Sequence, residues 1–426
     1  MKIDDVAPFL ADYLSKQRWF AGGPPSKAAI IDHDELDERL MWLLVDADAA
    51  RYQLLVGACA GLPPDFLHSH ETEVLGVVDG EIYYDALLDP DLAKALLARF
   101  APDEDVTRVR SMGAEQSNTS VVFDDRLVLK VFRRIHAGPN PDIEVTAALA
   151  RAGFEHVAAP VATWEESGTH LAVVQPYLAG GTDGWALALT SLRDLYGSEC
   201  DDPGECGGDF AAEATRLGNV TARMHVALAA ALGTGVADTA EWAGLMERQL
   251  ERIAPGEPWN APAREILERL ASMADPGGAI RVHGDFHLGQ VLRTDTGWFV
   301  LDFEGEPARP LDERRERSSP LKDVAGMLRS LQYATAVALR EREGPEIEGL
   351  VAKAEAWELR NRQAFLDGYF STDGLDHLLP ARTDDTLAAL AAWELDKAIY
   401  EVGYERDHRP DWVEIPEAAI ARLLSG

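Results

Sequence analysis

The sequence predicts an α+β chain in three parts: an N-terminal α+β cap over residues 1–90, a small β-rich lobe over 91–178 and a mostly helical large lobe over 179–426. Three observations predict it. Short apolar runs bounded by charged or glycine-containing turns crowd the first 178 residues, the pattern of antiparallel strands. Beyond Gly180-Gly181, apolar residues recur at helical spacing, as over residues 211–232. One strand–turn–strand over residues 281–304 interrupts that helical half and gathers histidines and carboxylates.

At 426 residues the chain is too long for one typical core. Forty basic residues against 73 acidic ones give a net charge of −33, which argues against nucleic acid or an anionic membrane as partner. Such acidity suits a cationic small molecule. Three cysteines, Cys59, Cys200 and Cys206, form no metal pattern; Cys200 and Cys206 could bridge in a loop, but the odd count favours reduced thiols. The opening MKIDDVAPFL is not a basic-then-apolar leader, and no apolar run reaches 18 residues. The expectation is a cytoplasmic protein, compatible with a monomer.

Taken in order, residues 6–14 read as an amphipathic helix leading into Gln17-Arg18-Trp19-Phe20, whose arginine and rings are expected to pack. Residues 40–45, 52–56 and 81–84 read as strands, the first two joined by a charged turn as a meander. Residues 90–99 read as a helix opened by proline. Residues 113–120, GAEQSNTS, read as a small polar turn before a strand over 121–123. Asp124-Asp125 then turns into the apolar strand 127–132, which carries Lys130. Asn140-Pro141 opens a helix containing Glu144, and the strand over 173–178 breaks at Pro176. Residues 195–209 form a polar, glycine-rich loop, and a further helix starts near Lys322-Asp323. His225, on the helix over 211–232, is expected to be structural.

The chemistry concentrates in RVHGDFHLGQVLRTDTGWFVLDFE. Gln290 follows Asp285 by five residues, and Asp302 follows it by seventeen at the end of a hairpin. Phosphoryl transfer to an alcohol needs a carboxylate to accept the hydroxyl proton and, five residues on, an amide oxygen for a metal. It then needs a second carboxylate for Mg²⁺ bridging the nucleotide phosphates. Asp285, Gln290 and Asp302 meet these demands in order. Lys130, in an apolar strand, needs a partner or a phosphate; Glu144 is its expected brace. Ser117, Asn118, Thr119 and Ser120 offer amides and hydroxyls to phosphates. The backbone of Gln175 and Tyr177 is expected to meet an adenine edge. A reading of another class also stands: His283, Asp285 and His287 alternate and could bind zinc in a hydrolase, which leaves Asp302 unexplained.

Lys397, Tyr400 and Tyr404 fall on one face of a C-terminal helix, with rings and charges of the kind a sugar site uses.

The strings VHGDFHLGQVLRT, LDFEGEPARPLDERRERSSPLKDVAGMLRS and ELDKAIYEVGYERDHRPDW resemble the maltokinases, relatives of the aminoglycoside phosphotransferases. QRWFAGG, AEQSNTSVVF and LKVFRR are similar too, so the resemblance spans nearly the whole chain. It implies a protein-kinase-like bilobal fold with a cap, and ATP and Mg²⁺ as cofactors. It further implies Asp285 as base, Gln290 and Asp302 as metal ligands, Lys130 and Glu144 as the phosphate pair, and a small-molecule sugar as acceptor. His287, Glu304, Lys397, Tyr400 and Tyr404 are expected at that acceptor. Two departures matter. Phe286 stands where maltokinases usually have leucine, and RPDWVEIP places Asp411 and Glu414 around Trp412. Carboxylates near an acceptor pair well with an ammonium. They favour an aminohexose such as glucosamine, giving glucosamine 6-phosphate; motif proximity keeps maltose, giving maltose 1-phosphate, as the alternative.

Overall fold

A computed structural model describes residues 3–20, 23–48, 50–61, 69–114, 118–306, 309–342 and 347–425. The chain divides into two compact units, one of residues 1–144 and 158–179, the other of 145–157 and 180–426. The expected cap and small lobe thus fall in one unit, and the helix Pro141–Arg151 is shared between the two.

The N-terminal unit holds two antiparallel sheets. The first runs Ala28–Asp37, Leu40–Ala47, Ala50–Cys59, Glu81–Asp85, Val74–Val78 in spatial order, with Arg134–Ile135 also paired to Ala50–Cys59. Its central strands carry long apolar runs, such as residues 40–45, because both faces are covered. Met41, Leu43 and Val45 pack with Leu10, Leu14 and Trp19, while Leu40 and Trp42 pack with the helix Pro90–Phe100. That helix is capped by Asp89, whose side chain accepts the N–H groups of Asp91 and Leu92. Trp19 and Phe20 are buried as expected, whereas Arg18 is exposed.

The second sheet runs Ala162–Glu166, Thr169–Pro176, Leu127–Phe132, Asn118–Phe123, Val109–Ala114. Asp124 and Asp125 both take positive φ, the turn conformation that short polar side chains tolerate best among non-glycine residues. Arg133 is fully buried here, bonded to Asp85 and to Thr119 Oγ1 at 2.8 Å, with the Trp19 ring 5.3 Å away. The cap motif containing Trp19 therefore closes over a buried ion pair of its own unit.

The C-terminal unit is helical around two three-stranded sheets: Thr182–Asp183, Val291–Thr294, Gly297–Val300, and Thr234–Val236, Gly278–Arg281, Arg317–Ser318. Helices Ala211–Leu232 and Ile347–Phe370 cross so closely that a Cβ at Gly218 or Gly368 would overlap the facing backbone. Cys200 and Cys206 form a disulfide, with Cα atoms 5.8 Å apart. This corrects the expectation of reduced thiols, which rested on the odd count. The loop folds back on itself and brings the pair within bridging distance, and Cys59 is the unpaired thiol. Among the described residues, no helix is long and apolar enough to cross a membrane.

Candidate active site

Strand Gly278–Arg281 delivers the chain to His283-Gly284-Asp285, and Leu288–Gln290 forms one 3-10 turn before the hairpin Val291–Thr294/Gly297–Val300. The hairpin returns to Asp302, which stands at φ 60°. The spacing is local, so the fold brings its ends together: Gln290 Nε2 lies 3.4 Å from Asp302 Oδ2.

The other oxygen, Asp302 Oδ1, is buried with no hydrogen-bond partner. A buried carboxylate oxygen left bare is costly. A cation there would relieve it, and a turn of the Gln290 amide would add a second oxygen. These groups fit a hard divalent metal.

The loop carrying Asp285 is held from behind. Asp323, buried on helix Leu321–Arg340, accepts the N–H groups of His283 at 2.8 Å and Gly284 at 2.9 Å, and faces His225 Nε2 at 3.1 Å. His225 Nδ1 in turn accepts from the Tyr369 hydroxyl at 2.8 Å. Burial works against the Asp323 charge, but the His225 bond and charge, with His283 and the Gly284 N–H, hold its carboxyl below the usual range. His225 is placed structurally, and what it supports is the loop carrying Asp285. Gly326 allows this approach: a Cβ there would lie 2.5 Å from the Phe286 carbonyl oxygen.

His283 Nε2 donates to the Leu301 carbonyl at 2.8 Å, and its Nδ1 faces the Asp285 N–H at 3.4 Å. Both ring nitrogens are engaged, which removes His283 from the zinc set considered above. His287 lies beside the carboxylate, Nε2 4.0 Å from Asp285 Oδ2, while its Nδ1 accepts from Gly289. Burial pushes the His287 imidazole below its ordinary pKa, outweighing the Asp285 charge.

In front of the loop stands Lys397. Its Nζ lies 3.2 Å from Asp285 Oδ1, 2.9 Å from Glu306 Oε1 and 4.8 Å from the Tyr400 ring centre. Burial opposes the ammonium, but Glu306 and Asp285 outweigh it and hold Lys397 above its ordinary value. Glu306 is also buried, yet Lys397, Lys322 and Arg309 hold its carboxyl far below the usual range. Asp396, next on the helix, goes the other way: burial pushes it up to about 6 against the pull of Arg309 and Lys322. A small cavity lined by Asp285, Lys397 and Asp396 shares Gly284, Glu306 and Tyr400 with a cleft of about 410 Å³. Glu304 is half-buried on the same segment. Tyr400 and Tyr404 stack with centroids 6.5 Å apart, and Tyr404 is exposed.

Several expected site residues are engaged elsewhere. Asp411 and Glu414 meet Arg340, the first through its carbonyl and the second through its carboxylate, and Trp412 lies under Arg409 and Arg340 at 4.4 and 5.4 Å. None of the three lines the cleft. The carboxylates that do are Asp285, Glu306, Glu313, Glu316 and Asp396, and of these Glu306 and Asp396 are shared by the cleft and the small cavity. The charged sequence around each masked them, because only the crossing of helix Thr383–His408 with the 305–318 segment shows what they face.

In the N-terminal unit, the Lys130 ammonium lies 3.5 Å from Asp142, while Glu144, two residues on, is exposed. Asp142 and Glu144 both lie in the first turn of helix Pro141–Arg151, and Asp142 is the partner that the expectation missed. Asn118, Thr119 and Ser120 belong to a strand instead of a turn, and Ser120 pairs with Lys130 across it. The Thr119 hydroxyl accepts from Arg133, so it is committed to the fold. Ser117 lies outside the described residues. Gln175 is in register with Val128. The Tyr177 N–H donates to the Arg126 carbonyl at 2.8 Å, and its own carbonyl accepts from Ala179 at 3.0 Å. The Tyr177 N–H is thus committed to the fold, while its carbonyl oxygen keeps a second lone pair.

Residues 107–305 match the phosphotransferase enzyme family, and residues 13–89 match the maltokinase N-terminal cap domain. A glucosamine kinase of Streptacidiphilus jiangxiensis is 34% identical over 355 residues, 79% of this chain and 77% of that protein. One from Mycolicibacterium smegmatis is 30% identical over 329 residues, 74% of this chain and 79% of that protein. A solved glucosamine kinase in complex with glucosamine, ADP and inorganic phosphate is similar with a TM-score of 0.69 and 26% identity, covering 98% of this chain and 100% of that one.

Proposed function

Because this chain belongs to the phosphotransferase enzyme family, we propose that it transfers the γ-phosphoryl group of ATP to a hydroxyl of an aminohexose, glucosamine being the favoured acceptor. The observation that carries this reading is the Asp285 carboxylate, positioned by Asp323 through the loop backbone and opening onto a cleft with Glu306, Asp396 and Tyr400. The two glucosamine kinases similar over most of their length support the acceptor.

In this reading Asp285 accepts the proton of the acceptor hydroxyl through Oδ2, the oxygen that Lys397 leaves open. Lys397 holds the carboxylate in one orientation, so the hydroxyl meets a fixed lone pair. Asp396, whose Oδ1 accepts from Gln249, is the carboxylate that would meet an acceptor ammonium, the role first expected of Asp411 and Glu414, whereas both Glu306 oxygens are held by Lys397 and Arg309. Asp302 and Gln290 would hold Mg²⁺, which when bound offsets charge on the phosphates. Lys130 supplies a further cation for those phosphates.

The maltokinase cap over residues 13–89 favours maltose as a second acceptor. The test is ADP release with Mg·ATP against glucosamine, maltose, glucose and an aminoglycoside, with the product identified by ³¹P NMR. Turnover of glucosamine to its 6-phosphate is the expected result. Turnover of maltose with none of glucosamine replaces the first reading by the second.

A further inference from the structure

We infer that Ser330 is a positioning residue for phosphoryl transfer: it fixes how far Gln290 and Asp302, the pair proposed for the metal, stand from the Asp285 carboxylate. The inference rests on the kinase reading above and adds a residue to that same site.

One face of helix Leu321–Arg340 runs along the loop that carries Asp285. Asp323, Gly326 and Ser330 recur at i, i+3 and i+7, the spacing of a single helix face. They meet the loop in order. Asp323 accepts from the His283 and Gly284 N–H groups, Gly326 lies against the Phe286 carbonyl, and Ser330 Oγ accepts from the Leu288 N–H at 3.1 Å. From Asp323 to Ser330 the helix advances about 10 Å. From Gly284 to Leu288 an extended chain could reach about 13 Å. The loop therefore has slack, and a slack loop is fixed only when both ends are pinned.

Asp285 lies between the two anchors, and the metal pair lies beyond the second. Gln290 and Asp302 are tied to each other within the hairpin. The Leu301 N–H donates to the Gln290 carbonyl at 2.9 Å, and Gln290 Nε2 lies 3.4 Å from Asp302 Oδ2. Their mutual geometry thus needs no help from Ser330. What the hairpin cannot set is its distance from Asp285, which passes through the single turn Leu288–Gln290. Two N–H groups of that turn go back to His287: Gly289 to Nδ1 at 3.0 Å and Gln290 to the carbonyl at 2.9 Å. The third, of Leu288, is the one that leaves the loop, for Ser330.

Both partners are buried, Leu288 at 0% exposure and Ser330 at 8%. An N–H deprived of its acceptor there has no solvent to turn to. On the other side, Gly184 approaches the Leu288 carbonyl so closely that a Cβ would stand 2.8 Å from the oxygen. The Leu288 residue is gripped at its N–H and at its carbonyl.

Ser330→Ala removes the acceptor and keeps a good helix former. Steady-state ADP release with Mg·ATP and glucosamine compares it with wild type, and hydrogen exchange read by mass spectrometry follows the Leu288 amide and the hairpin. kcat is expected to fall at least about fivefold, because small misplacements of reacting groups are costly. Both KM values and the Mg²⁺ concentration for half-maximal activity should stay within about twofold, since the metal pair moves as one piece. Exchange at the Leu288 amide should quicken at least about tenfold, with the amides of Val291–Val300 unchanged. A smaller fall in kcat, a metal midpoint that moves with it, or a Leu288 amide that quickens less overturns the inference. If wild type turns over no acceptor, the kinase reading has failed and the inference falls with it. An active wild type matched by the variant overturns the inference alone.

Discussion

Lys397 Nζ lies 3.2 Å from Asp285 Oδ1, joining residues 112 positions apart in sequence. The same ammonium bonds Glu306, so the Asp285 carboxylate is fixed by a cation that is itself fixed. One carboxylate oxygen is thereby occupied and the other left for chemistry. Asp285→Asn keeps the shape but removes the proton acceptor. Its kcat is expected to fall by roughly 10²–10⁴-fold, with a thermal midpoint close to wild type. Near-normal ADP release from this variant would remove Asp285 from the base role.

Asp302 carries the bare buried oxygen. Replacing it with asparagine removes the one anionic donor of the pair proposed for the metal and leaves the neutral Gln290 amide. The Mg²⁺ concentration giving half-maximal activity is expected to rise at least about tenfold. A metal titration of wild type and Asp302→Asn at saturating ATP checks this, and an unmoved midpoint would place the cation elsewhere.

Asp323 serves three donors and is buried. Asp323→Ala strands two backbone N–H groups and His225. Losing one partner of such a buried cluster costs roughly 3–5 kcal/mol. Urea unfolding followed by fluorescence should show a loss of that size, with activity failing even where the protein remains folded. A loss well under 1 kcal/mol would mean that the loop holds itself.

Asp396 gives a pH dependence of definite sign. Its folded carboxyl titrates at about 6, against 3.8 as the ordinary value, because burial penalises the charged form. Between those two values the folded state binds more protons than the unfolded one, so this group's contribution to stability is present below about 3.8 and is lost as pH rises through about 6. The loss is on the order of 2–3 kcal/mol. Asp396→Asn should remove that part of the slope. Thermal midpoints taken from pH 4 to 7 on both proteins measure it, and parallel curves would count against a neutral Asp396.

What could be read from sequence follows the distance over which each feature is determined. Asp285, Gln290 and Asp302 lie in one strand–turn–strand, and the hairpin register Val291↔Val300 brings the last two together by local geometry. The Trp19 motif, the strand carrying Lys130 and the helix carrying Lys397 are local patterns in the same sense. Phosphate-binding assignments were less legible. A hydroxyl such as Thr119 or a backbone N–H such as Tyr177 looks available in any sequence until its partner is known.

By itself, then, the sequence determined the order of elements, the spacing of the chemical groups in the hairpin and the family they belong to, because these depend on periodicity and short separations. Tertiary structure decided which of those groups remain open. It tied Glu414 to Arg340 and set Lys397 against Asp285 and Glu306. It also set Asp323 behind His283, 40 residues away. Such pairings arise from how helices and strands pack across the core, and no local spacing encodes them.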